Sequence, residues 1–265
     1  MTTLTVGYST CPNDTFIFDA MIHGKIDTED LRFEPELADV ENLNMRAFKQ
    51  ELDISKLSYH AYLFLRDQYA LLNSGSALGR NCGPLLISKK VVNIKNLTPA
   101  HIGIPGKYTT ANLLLQLYLR KKIDAKIFLF SDIETALING EIEAGVIIHE
   151  NRFTYEAKGL KRIQDLGEFW ESQTKLPIPL GGIVVKKQFS VDLQQKIDRI
   201  LKRSVQFAFD NPESSREYVR KHAQEMSDDV MLSHIALYVN NYTLDLGKTG
   251  HTAVERLLTV SSDIL

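Results

Sequence analysis

The chain has 265 residues, 44% of them hydrophobic and 24% charged, with a formal net charge of −2. That length suits one large domain or two lobes around a sizeable core, and the composition excludes disordered and fibrous classes. The longest basic stretches, Lys89-Lys90 and Arg120-Lys121-Lys122, are too short for a phosphate-recognising surface, so nucleic acid is not an expected partner.

Leu4, Val6 and Tyr8 alternate with other residues from the outset, which predicts a strand over Leu4–Tyr8. The same stretch lacks the basic start, apolar region and cleavage site of a secretion signal. GYSTCPNDTFIFDAM, residues 7 to 21, then predicts a polar turn and a helix over Thr15–His23 capped by Asn13 or Asp14. Hydroxyls and open helix N–H groups beside a strand end suit an oxygen-bearing ligand, which makes Ser9 and Asn13 candidate binding residues. An Asx-capped turn with no ligand is the equally simple alternative. Cys11 stands where a helix N-terminus activates a thiol, but no partner stands out in the sequence, and it is expected to be a passive small residue.

Strands over Leu31–Leu37 and Leu52–Lys56 flank a helix at Asn42–Gln50. In ISKLSYHAYLF, residues 54 to 64, strand passes into a helix over Tyr59–Leu65. Lys56, Leu57 and Ser58 fall at that edge, and Lys56 is the charge there that can neutralise a carboxylate. His60 lies within the helix and is expected to be packed or solvated. Strands follow at Tyr69–Leu72 and Leu85–Ser88. Between them SALGRNCGPLLIS supplies glycines for close backbone approach, and Arg80 is expected to pair with a surface acid.

A strand over His101–Ile104 ends at a Pro-Gly turn in GIPGKYTTANLLLQLYL, residues 103 to 119. Thr109 and Thr110 then open an apolar helix over Thr110–Lys121. A hydroxyl pair beside unpaired helix N–H groups is a recipe for holding a carboxylate or phosphate, although neither GxxxxGK[ST] nor GxGxxG is present. A strand at Lys126–Phe130 and a helix at Ile133–Asn139 lead to AGVIIHENRF, residues 144 to 153, where a buried strand over Ala144–His149 delivers one imidazole. Phe153 occupies the place of the second histidine in HExxH, and the other histidines show no ligand spacing, so no metal site is predicted. GxSxG is absent as well. His149 is left as a lone general base or a structural histidine, and Glu150 is given no role.

Gly182–Val185 is the last predicted strand. From Val191 onward the chain is helical, with Leu193, Ile197, Ile200, Leu201, Val205 and Ala208 on one face. Asn211-Pro212-Glu213 and Ser227-Asp228-Asp229 start two further helices. Alternating strands and helices predict an α/β fold of two lobes, each a mixed, mostly parallel sheet with flanking helices, ahead of a helical C-terminal third. Crossings at Lys89–Pro99 and Lys175–Gly182 divide the chain. Residues 1–90 plus 181–265 form a larger discontinuous lobe and 91–180 a smaller inserted one, with a ligand cleft between them. Two cysteines, Cys11 and Cys82, without CxxC spacing exclude a disulfide framework and a zinc finger and fit a reducing compartment. No apolar run approaches the roughly 20 residues that span a bilayer, so a cytoplasmic location without membrane insertion is expected.

Read in order, YSTCPNDTFIF, KLSYHAY, ALGRNCGPL, IPGKYTTANLLL, AGVIIHENRFTY and LPIPLGG resemble the 1,4-dihydroxy-6-naphthoate synthases of the futalosine route to menaquinone. The resemblance covers nearly the whole chain, with CPNDTFIF and IIHE its most specific blocks. It departs at Asn81, where glycine is expected. It implies a periplasmic-binding-protein-like type II fold and a lyase that converts cyclic dehypoxanthine futalosine to 1,4-dihydroxy-6-naphthoate. It also implies that His149 is the proton acceptor and that Lys56, Leu57, Ser58, Thr109 and Thr110 bind substrate. Such chemistry needs a base, oxygen anchors and exclusion of water, with a small-molecule carboxylate as substrate and no cofactor.

Two other readings stand beside this one. Chorismate dehydratase of the same pathway shares the fold but is not expected to carry CPNDTFIF and IIHE together. A solute-binding protein would capture a small anion without chemistry and has no need of the delivered histidine. The sequence leaves monomer or homodimer open.

Overall fold

The structure is a computed structural model that describes residues 2–149, 151–223 and 227–262. The chain begins β1 (Thr2–Tyr8), α1 (Pro12–Ile22), β2 (Leu31–Leu37), α2 (Val40–Phe48), β3 (Ile54–Ser58), α3 (Tyr59–Leu65), β4 (Tyr69–Leu71) and β5 (Ala77–Gly79). Its middle runs β6 (Leu85–Ser88), β7 (Ile102–Ile104), α4 (Thr110–Leu119), β8 (Lys126–Ile127), α5 (Ile133–Asn139), β9 (Ala144–Ile147), α6 (Asn151–Thr154), β10 (Lys161–Asp165) and α7 (Leu166–Thr174). After β11 (Ile178–Lys186) come α8 (Val191–Asp210), α9 (Arg216–His222), α10 (Asp228–Tyr238), α11 (Asn241–Leu244) and α12 (Gly247–Ser262). Glu150 lies outside the described residues.

The strands form two sheets. One has the order β2-β1-β3-β11-β4, with β5 also on β11, and the other the order β10-β6-β9-β7-β8. Both are mixed, but the expectation of mostly parallel pairing fails. β1 is parallel to β2 and β3, whereas β11 is antiparallel to β3, β4 and β5. β7 is parallel to β8 and β9, whereas β6 is antiparallel to both of its neighbours. The chain passes between the sheets twice, and the strand that arrives each time runs against the strands it joins.

The first passage falls between β5 and β6, ahead of the boundary expected after residue 90. β6 therefore belongs to the second sheet and not to the first. The polar run after Ser88 resembles a linker, but the true link is the short Arg80–Pro84 segment. Its geometry explains two of its residues. Asn81 has φ 57°, in the left-handed region, so the asparagine standing in for an expected glycine is the ordinary residue that tolerates this backbone best. A Cβ on Gly83 would lie 2.3 Å from the backbone of Gly167, at the start of α7. Gly83→Ala is expected to cost about 1–3 kcal/mol by forcing these two backbones apart. Urea unfolding checks this: the midpoint should fall with an unchanged m-value, and an unchanged midpoint would refute the tight approach.

The period of two in the strands sorts the core. Leu86 and Val146 face one cluster with Ile102, Leu113, Trp170 and Leu257, while Leu85, Ile87 and Ile147 face another with Ile133 and Leu137. The first cluster also takes in Leu78 and Ile178 from the first sheet, so the two sheets share a continuous apolar seam. On the other side of the first sheet, α8 buries Ile197, Ile200, Leu201, Val205 and Ala208 against α1 and the β1 side chains Leu4, Val6 and Tyr8, as its period predicts. α1 is buried almost all round, enclosed by α8, α9 and α10. Ser204 of α8 donates to the Ile17 carbonyl at 2.6 Å and accepts from Met21 N–H at 3.1 Å. The helical third is thus what encloses the helix that follows β1, and it brings α10 to the site.

Candidate active site

A cavity of about 90 Å³ lies between the sheets, lined from the first by Ser9, Asn13, Asp14, Lys56 and Ser58 and from the second by Thr109, Thr110 and His149. Three helices of nine residues or more, α1, α2 and α4, begin at its wall, contributing Asn13, Val40 and Thr110 with Ala111. Helix N-termini carry partial positive charge and N–H groups without intrahelical partners, so their convergence favours an anionic ligand.

α1 starts earlier than expected, at Pro12 with Cys11 as its N-cap. The proline ring presets the first helical φ, and Thr15 N–H bonds back to the Cys11 carbonyl at 3.1 Å. Asp14 is thereby released from capping and becomes the buried hub that sequence reasoning missed. Only 1% exposed, it accepts from Ser9 Oγ at 2.7 Å, Ser9 N–H at 3.2 Å, Asn13 Nδ2 at 2.8 Å and Lys56 Nζ at 2.7 Å. Ser9 and Asn13 do line the cavity, but their donors serve this carboxylate. Lys56 was expected to meet a ligand carboxylate alone; it is 5% exposed and already paired. A buried ammonium requires such a partner. The pair stands at the cavity wall, which Lys56 and Asp14 both line.

Alternation along β3 separates the KLS residues. Lys56 and Ser58 line the cavity, while the Leu57 side chain points the other way into a core with Ala47, Leu65, Tyr69 and Val184. Leu57 is thus not a side-chain contact for a ligand. Thr109 caps α4 by accepting from Asn112 N–H at 3.2 Å and donates to the Gly106 carbonyl at 2.9 Å. Thr110 Oγ1 donates to the Leu180 carbonyl at 2.6 Å. Thr110 Oγ1 also accepts from His60 N–H at 3.4 Å, so both hydroxyls are committed within the protein and the N–H groups of the helix start are what the pair leaves for an anion.

β9 ends at Ile147 and His149 follows in a turn with φ 59°, a left-handed conformation that is costly for a side chain of this size. Its Nδ1 lies 3.2 Å from Cys11 Sγ, so Nε2 is the nitrogen left for a ligand. Cys11 is therefore not passive. The ring packs edge-on against Phe130 and parallel to His234, with centroids 4.8 and 6.1 Å away. Burial pushes the His149 imidazole down to about 4, with Lys56 adding to the effect and Asp14 and Asp39 opposing it. It is neutral near pH 7, as a general base must be.

His234 arrives on α10, far along the chain, and no spacing in the sequence signals it. Its Nε2 meets Asn13 Oδ1 at 2.9 Å. Asn13 gives its amide hydrogen to Asp14, so its oxygen accepts and His234 donates. Burial holds His234 neutral, with His149 and Lys56 reinforcing it. Outside the cavity, Arg80 meets Glu171 at 3.2 Å, the surface pair expected of it. Neither cysteine forms a disulfide. Among the described residues no acidic, histidine or cysteine cluster is arranged to hold a metal ion, and no helix is long and apolar enough to cross a membrane.

A family described as menaquinone biosynthesis matches residues 4–263. The chain belongs to that family. Within it, the chain is 43% identical over 257 residues to the 1,4-dihydroxy-6-naphthoate synthase of Thermus thermophilus, covering 97% of this chain and 93% of the relative. The enzyme of that name from Streptomyces coelicolor is 40% identical over 263 residues, covering 97% and 92%. Among solved structures, a protein from Archaeoglobus fulgidus superposes with a TM-score of 0.91 at 34% identity, over 98% of this chain and 97% of that one. A Candida albicans protein described as having the generic periplasmic binding protein fold gives a TM-score of 0.71 at 14% identity, over 100% and 91%. The chain therefore has the periplasmic-binding-protein-like architecture, and the candidate site is the cavity between its two sheets.

Proposed function

We propose that this protein is a lyase that converts cyclic dehypoxanthine futalosine to 1,4-dihydroxy-6-naphthoate, with His149 as proton acceptor. The names of the two relatives, each matched over 97% of the chain, support the product, 1,4-dihydroxy-6-naphthoate. The observation that carries the mechanism is His149: a neutral imidazole with Nδ1 engaged by Cys11 and Nε2 left to a cavity that also holds Lys56.

The substrate is a spiro-fused bicyclic keto acid with a ribose-derived ring and a carboxylate on its aromatic part. Nε2 of His149 takes the proton of a ring hydroxyl, the resulting alkoxide collapses to a carbonyl, and a carbon–carbon bond breaks in the retro-aldol sense. The electron pair passes to the ring ketone as an enolate, which takes up a proton as His149 gives its own back. The remaining bond from the spiro carbon to the opened sugar then breaks by elimination, which aromatises the ring and releases the sugar fragment. Lys56, Ser58 and the first turn of α4 anchor the substrate oxygens, and the convergent helix N-termini favour its carboxylate. Leu57 supplies the spacing that puts Lys56 and Ser58 on one face. Ser9 and Asn13 act one step back, holding Asp14 against Lys56. In this reading the partner is a small-molecule carboxylate and the site of action is the cytoplasm.

Incubation of the purified protein with cyclic dehypoxanthine futalosine, followed by mass spectrometry, should reveal 1,4-dihydroxy-6-naphthoate. Binding of an anion without any conversion would instead favour a solute-binding role. The pH profile is a second check. A base that titrates near 4 is active above that value and is lost as protonation sets in below it. The acid limb of kcat/KM should therefore lie near pH 4, with a flat response from pH 5 to 7. An acid limb near 6.5, the value of an unperturbed histidine, would show that His149 is not held neutral by burial.

A further inference from the structure

We propose that Glu41 is a positioning residue for the Thr109–Thr110 pair, its carboxylate clasping the turn that precedes α4 and so fixing where that helix start meets the ligand. That a ligand meets the Thr109–Thr110 pair, and the substrate used in the kinetic test, rest on the functional reading above; the clasp itself rests on the geometry alone.

Glu41 lies in the first turn of α2, on the side of the first sheet, whereas the Pro105–Tyr108 turn connects β7 to α4 of the second. The carboxylate accepts from Tyr108 N–H at 3.0 Å through Oε1 and at 3.2 Å through Oε2. It also accepts from Asn44 Nδ2 at 3.0 Å. Among the described residues no lysine or arginine forms an ion pair with it. Glu41 is half-buried, and a partly desolvated carboxylate without a counter-cation depends on hydrogen bonds to its oxygens. Here that bonding is supplied chiefly by the backbone of the opposing turn.

The turn is shaped for this contact. A Cβ on Gly106 would lie 2.5 to 2.7 Å from Glu41 Cδ, Cγ and Cβ, so the Pro-Gly sequence lets the glutamate stem lie flat against the chain. One turn along α2, Asn44 accepts from Ser58 N–H at 3.0 Å and donates to Ser58 Oγ at 3.1 Å and to the Tyr108 carbonyl at 3.4 Å. From α3, His60 Nδ1 meets the Thr109 carbonyl at 3.2 Å. Neither Glu41 nor Asn44 lines the cavity, but Ser58, Thr109 and Thr110 do. Through Glu41 and Asn44, which stand back from the cavity that Val40 of the same helix lines, α2 ties together the two binding stretches.

The test compares Glu41→Ala, Glu41→Gln and Gly106→Ala with the wild type in steady-state kinetics, together with hydrogen exchange of residues 107–110 in the ligand-free protein. Glu41→Ala should raise KM by about tenfold or more while kcat changes by less than about threefold, because binding geometry and not the base is disturbed. Gly106→Ala should behave similarly, and Glu41→Gln, which keeps one acceptor oxygen, should fall between. Amides 107–110 should exchange faster in Glu41→Ala. Unchanged KM in Glu41→Ala, with or without a loss of thermal stability, would overturn the proposal. If the wild type leaves the futalosine unconverted, the functional reading fails and exchange alone decides the clasp: faster exchange supports it and unchanged exchange overturns it.

Discussion

Replacing His149 by alanine is expected to lower kcat by about 10²–10⁴-fold, the usual contribution of a positioned general base, with KM little changed. The imidazole sits on a backbone of φ 59°, so activity and stability should separate at this position. His149→Gly relaxes the left-handed strain that alanine retains, and it should be about 1 kcal/mol more stable than His149→Ala while equally inactive. Turnover measured by product mass, and urea unfolding of both variants, check the two halves. Near-normal turnover in His149→Ala would remove the general base from the mechanism. Equal stability of the glycine and alanine variants would show that the turn relaxes once the ring is gone.

Asp14→Ala is the second large effect expected. It leaves the ammonium of Lys56, 5% exposed, without a counter-charge, and removing one member of a buried pair costs about 3–5 kcal/mol. It also strips the acceptor from Ser9 Oγ and Asn13 Nδ2. The double variant Asp14→Ala/Lys56→Met removes both charges and should recover most of the lost stability without recovering turnover, because the oxygen anchor is gone. Denaturant midpoints for the two single variants and the double measure the coupling. A stable, active Asp14→Ala would mean that Lys56 is served by solvent rather than by its partner.

Elements with strong periodicity were readable in the sequence almost residue by residue. β2, β6, α3 and α5 occupy the ranges their apolar spacing predicts, and the face of α8 is the one anticipated. The failures have local causes. β5 is three residues long and β10 begins with exposed lysine and arginine, so neither shows the alternation of a half-buried strand. β11 starts four residues early because Pro179 argues against a strand; it lies where β11 pairs with short β5 and the register shifts. At the site, His149, Lys56, Ser58, Thr109 and Thr110 were visible because the apolar spacing puts each at or near a strand end or a helix start, although Lys56 proves to lie mid-way along β3 and His149 two residues past β9. Asp14 was not, because a carboxylate after Cys-Pro-Asn looks like a cap until burial is known. His234 and Glu41 depend on packing between segments far apart in the chain, which no local pattern reports.

The position of β11 bears on how the chain is made. It supplies the hydrogen bonds that hold β3, β4 and β5 in one sheet, yet it is synthesised roughly a hundred residues after β5. At the usual pace of about 5–20 residues per second, the ribosome leaves those strand edges unpaired for on the order of 5–20 s. The second sheet, whose five strands all lie in the intervening segment, has every partner it needs before then. Birth order thus favours the inserted half as the first to settle, with the N-terminal strands waiting as open edges, the stage at which nascent copies are most exposed to one another and to chaperones.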